Sequence, residues 1–182
     1  MSIPTGHVSS TPDAVMRAIT TQMLDTIPNI DDESIIVTLE ENQSADEPPS
    51  PAPGQVIYTV KLGPGRFDES LLDGGGYLQS TIEHDIIIGI WTIIRLDEIG
   101  RDKVVLTDSS VGLMPYVTQV LLSLNQFYPA DDSGAAIFRE PMVPGGISWR
   151  KASEDLRGAI LTFHCTFDWN MIAASIPGPS IG

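Results

Sequence analysis

Positive charge is what this chain has least of. Only 10 of its 182 residues are Lys or Arg, against 24 Asp and Glu, for a net charge of -14. Affinity for nucleic acid comes largely from Lys and Arg neutralising phosphates, so a surface this acidic argues against a chain built to grip free DNA. It argues equally against docking on anionic lipid. It suits a protein that stays soluble, or one that must not hold DNA passing close by. Cysteine is nearly absent. The single Cys165 excludes an internal disulfide and suits a reducing compartment. Long hydrophobic runs are missing as well. The longest uncharged apolar stretch lies between Asp85 and Arg95, in 'EHDIIIGIWTIIRLDE', far short of the roughly 20 residues a spanning helix needs. The N-terminal 'MSIPTGHVSSTPD' has no basic segment leading into an apolar one, so no signal peptide is expected. Without such a signal, Asn42-Gln43-Ser44 reads as a coincidental glycosylation pattern.

Catalytic motifs are missing too. 'GPGRF' (63–67) and 'DGGGY' (73–77) lack the G-x-G-x-x-G spacing and the Lys-Ser/Thr ending of phosphate loops; their glycines read as turn residues. No G-x-S-x-G elbow supports a serine nucleophile. Three histidines are present, His7, His84 and His164. His7 lies in an N-terminal arm. On a strand, His84 points away from both Glu83 and Asp85, and His164 points away from Cys165, because successive strand side chains alternate. No zinc spacing results, and the expectation is a polar edge histidine and a buried, inert thiol.

What is present is hydrophobic periodicity. 'STPDAVMRAITTQMLDTIP' predicts a helix, with Thr11 as N-cap, Pro12 in the first turn, Asp13 at the positive end of the dipole, and Pro28 as the stop. Val15, Ile19, Met23 and Ile27 form its apolar stripe. 'SIIVTLEE' (34–41) and 'QVIYTVKL' (55–62) read as strands. Between them, 'ENQSADEPPSPAPG' (41–54) is too polar and proline-rich to bury a face. A second loop is expected over 63–77. The isoleucine run is β-branched and interrupted by Gly89, so it reads as a strand. Ile86, Ile88, Ile90 and Ile94 lie on one face, and Ile87, Trp91 and Ile93 on the other, where Gly89 leaves a gap. Both faces are apolar and both require cover. A second helix is expected over 108–127, capped by Asp108, Ser109 or Ser110, with Pro115 either starting its regular part or kinking it. Its apolar side carries Leu113, Val117, Val120, Leu121 and Leu124. A hairpin closes the chain. 'AAIFREP' and Gly146–Arg150 form an irregular first arm, and 'GAILTFHCTFDW' the second, with Ala159 to Trp169 alternating onto one face.

The order helix, strand, strand, strand, helix, strand, strand contains no repeating strand-helix-strand unit. It predicts an α+β fold, a mainly antiparallel β-sheet flanked by two helices with long loops. The chain reads as one domain over 11–170, with a flexible arm (1–10) and a C-terminal tail (171–182). Candidate interface residues are Arg66 and Phe67, a cation and an aromatic in a glycine-bounded loop, together with Trp91 on the second strand face. The acids Glu40, Glu41, Asp46 and Glu47 of the first long loop join them. They lack calcium-loop spacing and read as solvated charge. No catalytic residue, cofactor or metal is assigned.

An N-terminal amphipathic helix, a short strand, two strands with long loops, a second helix in 'RDKVVLTDSSVGLMPYVTQVLLSLNQF' and a final hairpin ending in 'LRGAILTFHCTFDW' together resemble the tail terminator and neck (tail-completion) proteins of long-tailed bacteriophages. The likeness covers residues 11 to 170 and lies in element order, length and loops, not in a residue signature. The acidic loop 41–54 exceeds what the family pattern needs. The resemblance implies a non-enzymatic virion protein assembled in the host cytoplasm. It would be a homo-oligomeric ring, usually a hexamer, that caps the tail tube and joins it to the head-neck connector. DNA would pass through its lumen without specific binding, and no membrane would be involved. The alternative is a small α+β enzyme or ligand-binding domain with a site under loop 63–77, drawing on His84, Glu83, Asp85 and Arg66.

Overall fold

A computed structural model describes residues 11–38, 50–52, 54–67, 79–93, 112–130, 134–153 and 155–170. Helix α1 spans Pro12–Thr26, with Thr11 Oγ1 accepting from the Ala14 amide at 3.3 Å. Its predicted stripe is the buried one, joined by Met16. A short 3-10 turn, Asp32–Ser34, follows. Asp31 caps it by accepting from both the amide and the hydroxyl of Ser34 at 2.8 and 2.6 Å. Ser34 therefore belongs to this turn, and strand β1 is only Ile35–Thr38, starting one residue later than predicted.

Strand β2 runs Val56–Phe67 and β3 runs Gln79–Ile93. Helix α2 is Met114–Leu124, β4 is Val143–Lys151 and β5 is Leu156–Asn170. The five strands form one sheet in the order β1-β2-β3-β5-β4. Only the β1-β2 pair is parallel; the other three pairs are antiparallel. The fold is α+β, as the element order predicts.

Two strands are longer than their sequence suggests. The glycine- and proline-rich 'GPGRF' is not the start of a loop. It continues β2 through an irregularity between Leu62 and Gly65, and Arg66 and Phe67 pair with Glu83 and Ile82. β3 begins at Gln79, within a polar stretch that lacks alternation, because β5 is long enough to pair with it from Asn170 onward. The second helix is shorter than predicted. Its N-cap position is Leu113, without a side-chain cap, and Pro115 lies in its first turn, where a missing amide costs nothing. The proposed caps Asp108, Ser109 and Ser110 lie outside the described residues. In the expected first hairpin arm, Ala136 and Phe138 make only isolated bridges, to Ala130 and Phe167, and the regular strand starts at Val143.

The helices pack on one face of the sheet. Val15, Met16, Ile19 and Met23 of α1, with Val117, Val120 and Leu124 of α2, meet Tyr58, Val60, Ile86, Ile88 and Ile90, and the odd-numbered residues Ala159 to Phe167. Each fully buried isoleucine is worth roughly 1.5–3 kcal/mol. The helices are tied together by Thr26 and Ser123, whose hydroxyls lie 2.6 Å apart, and by Gln22 donating to the Ser123 carbonyl at 3.1 Å. Among the described residues, no helix is long and apolar enough to cross a membrane.

Candidate functional site

Four features of the fold have the chemistry to take part in function. The first is the sheet face opposite the helices. Here the gap left by Gly89 is filled by the chain itself. The indole of Trp91 lies flat across its own strand and the next. A Cβ at Gly89 would meet Trp91 Nε1 at 2.7 Å, and a Cβ at Gly158 would collide with Cε3 and Cζ3 of the same ring. Trp91 is consequently 3% exposed. This corrects its place among the candidate interface residues, because the ring is spent on packing within the chain.

Further along that face, Asp85 of β3 and His164 of β5 are register partners. His164 Nδ1 lies 2.6 Å from Asp85 Oδ1, with both side chains substantially exposed. Sequence reasoning placed each on the face away from Cys165 and His84. It missed that they meet, since the pairing joins residues 79 positions apart. Beyond them, Asp168 holds a denser network. It accepts from Thr81 Oγ1 at 2.6 Å and takes a two-point contact from Arg139, at 2.8 and 3.0 Å. Such forked pairs fix geometry as well as charge.

The second feature is His84. It is not an edge residue; it stands in β3, at the centre of the sheet, 9% exposed. Its ring stacks on Phe167 with centroids 5.8 Å apart and planes 16° apart. It also crosses Gly65, where any side chain would strike it. With its proton on Nδ1, the ring donates to the Gly63 carbonyl at 3.1 Å. Burial holds its pKa below the ordinary value despite the opposing effects of that carbonyl and of Asp85. Its strand partner Cys165 is buried, and burial pushes the thiol up to about 12, so it carries little thiolate. The inert-thiol expectation therefore agrees with its burial. Glu83 and Asp85 project to the opposite face from His84, so the residues proposed for an enzymatic site do not converge.

The third feature is a cleft of about 650 Å³ between the end of α1, the start of α2 and the start of β2, lined by Asn29, Asp31, Tyr58, Tyr116 and Gln119 among others. Gln119 Oε1 is buried there with no hydrogen-bond partner among the described residues. Burial, with Tyr116 nearby, raises the Tyr58 phenol well above its usual value.

The fourth is the pair of sheet edges. β1 and β4 are the outermost strands. β4 is exposed along its whole length, including the large apolar side chains Val143, Ile147 and Trp149. At the other edge, Ile36 and Val37 are exposed. These apolar edges were not singled out from the sequence. The only available signal was the alternation of Ile147 and Trp149 with Ser148 and Arg150, which does not say that one side of the strand lacks a neighbour.

Of the remaining candidate interface residues, Arg66 is exposed on β2 opposite Glu83, and Phe67 ends that strand opposite Ile82. Glu40, Glu41, Asp46 and Glu47 lie outside the described residues. Among the described residues, no group of three or more His, Cys, Asp or Glu side chains is placed to hold a metal ion. Comparison with protein-family models and with curated proteins finds no match for the chain.

Proposed function

We propose that this chain is a structural subunit of the bacteriophage tail terminator or neck type. Copies form a ring, a hexamer in the family it resembles, that caps the tail tube and meets the head-neck connector. The observation on which this rests is the architecture: helices on one face of a five-stranded sheet, in the order the resemblance requires, with both sheet edges unpaired among the described residues. A net charge of -14 supports the same reading, because an acidic lumen wall does not retain passing DNA.

The test has two arms. Light scattering and particle images of the full chain should give a closed ring, and the protein should be found in purified virions at a fixed copy number. A strict monomer at high concentration, together with absence from virions, defeats the reading. A ligand-binding role is the second reading. The unpartnered Gln119 Oε1 in the α1-α2 cleft favours it over a site under loop 63–77. Thermal-shift screening against metals and metabolites separates the two. A shift lost in Gln119→Leu supports binding in the cleft, and no shift across the screen counts against it.

A further inference from the structure

We propose that copies of this chain associate head to tail by pairing the β4 edge of one copy with the β1 edge of the next, so that the sheet continues from subunit to subunit. The inference deepens the ring reading, from which it takes only that copies associate.

An unpaired strand edge is a template for another strand. Proteins that must stay monomeric blunt such edges with charge, proline or bulges. β4 is blunted in its first half only, by Pro144 and by the irregularity between Pro144 and Gly146. Beyond it, Ile147–Lys151 is regular and exposed. These five residues are enough to pair with the four of β1, Ile35–Thr38.

Direction and charge agree with this pairing. β2 is parallel to β1, and the alternating antiparallel pairs through β3 and β5 leave β4 running opposite to β1. When a second copy extends the sheet with its helices on the same side, its β1 therefore lies antiparallel to β4, in the more favourable ladder. That direction sets the C-terminal end of β4 against the N-terminal end of β1. The first carries Arg150 and Lys151, exposed and without an ion pair among the described residues. The second is led by Asp32 and Glu33, equally exposed. In a chain with only 10 cations, two adjacent ones at this edge meet two adjacent acids at the other. On the helix side, Ile147 and Trp149 of one copy would lie beside Val37 of the next, covering apolar surface that each copy leaves at 43–47% exposure. Because the two surfaces differ, the contact is heterologous, and it gives a ring where the rotation between successive copies closes and an open chain where it does not.

Charge reversal tests this in the full chain, read by sedimentation velocity and native mass spectrometry, with circular dichroism to check folding. The Arg150→Glu/Lys151→Glu variant carries acid at both edges. The Asp32→Lys/Glu33→Lys variant carries base at both. Each alone should associate about tenfold or more weakly than the wild type. An equimolar mixture should recover assembly, alternating the two variants. Wild-type assembly by either variant alone, or a folded mixture that does not recover, overturns the edge pairing; so does a wild-type chain that stays monomeric. If rings persist in both variants, the pairing is wrong and the ring reading stands. If the mixture recovers open chains instead of rings, the pairing stands and the ring reading falls.

Discussion

Trp91 and Gly158 are directly opposite each other on β3 and β5, and the indole occupies the space that a side chain at position 158 would fill. The sheet face away from the helices is thus covered, at its most apolar point, by a ring folded down onto the backbone. The same ring reaches over Gly89, so two glycines on adjacent strands form the bed for one tryptophan. Gly158→Ala should destabilise the chain by about 1–3 kcal/mol through overpacking. In a Trp91→Ala background, the same substitution should cost markedly less, because the clash is gone. A double-mutant cycle by urea unfolding reads this coupling. Additive costs would mean that the ring does not rest on Gly158.

His84 makes stability depend on pH. The fold holds its ring neutral, while the unfolded chain takes up a proton near the ordinary value of 6.5. Below that value the unfolded state binds more protons than the folded one. The stabilisation is therefore fully present above about 6.5 and is lost as pH falls toward the lower folded value. Melting the wild type and His84→Gln at about pH 7.5 and about pH 5 should show a smaller acid-induced loss in the variant. An identical acid response in wild type and His84→Gln would remove His84 as the cause.

Cys165 should be silent to thiol reagents in the native protein and react fully once the chain is unfolded. Its side chain is 3% exposed and its thiol is pushed up to about 12, so both access and thiolate are lacking. Rapid stoichiometric labelling under native conditions would contradict its place in the core.

Asp168 holds β3, β5 and the segment before β4 together through Thr81 and Arg139. Asp168→Asn keeps the shape but removes the charge, and should cost about 1–3 kcal/mol in chemical denaturation. Thr81→Val, which removes one neutral donor, should cost less, about 1 kcal/mol. A neutral result for Asp168→Asn would mean that solvent replaces the network without loss.

Much of the candidate chemistry was half legible. Alternation alone placed Cys165 inward and kept it apart from His164, and placed His84 away from Glu83 and Asp85. What alternation does not carry is the partner across the sheet. The Asp85–His164 contact, the stacking of His84 on Phe167 and the Trp91–Gly158 bed each join residues brought together by register. The 'GPGRF' stretch misled for the same reason. Its glycines resemble a turn locally, yet they continue β2: the Gly63 carbonyl pairs with His84 Nδ1, and the His84 ring occupies the space a side chain at Gly65 would fill.

The sequence by itself determined the order of the main helices and strands, the α+β class and the inward-facing residues of α1, β3 and β5, because hydrophobic period and helix punctuation are local properties of the chain. Tertiary structure alone decided which strands are outermost. Nothing within 'GGISWRK' or 'IIVT' says that one side of each has no strand partner among the described residues. That follows from the β1-β2-β3-β5-β4 order, which depends on pairings between distant segments. Only that order sets Arg150 and Lys151 at one rim of the sheet and Asp32 and Glu33 at the other.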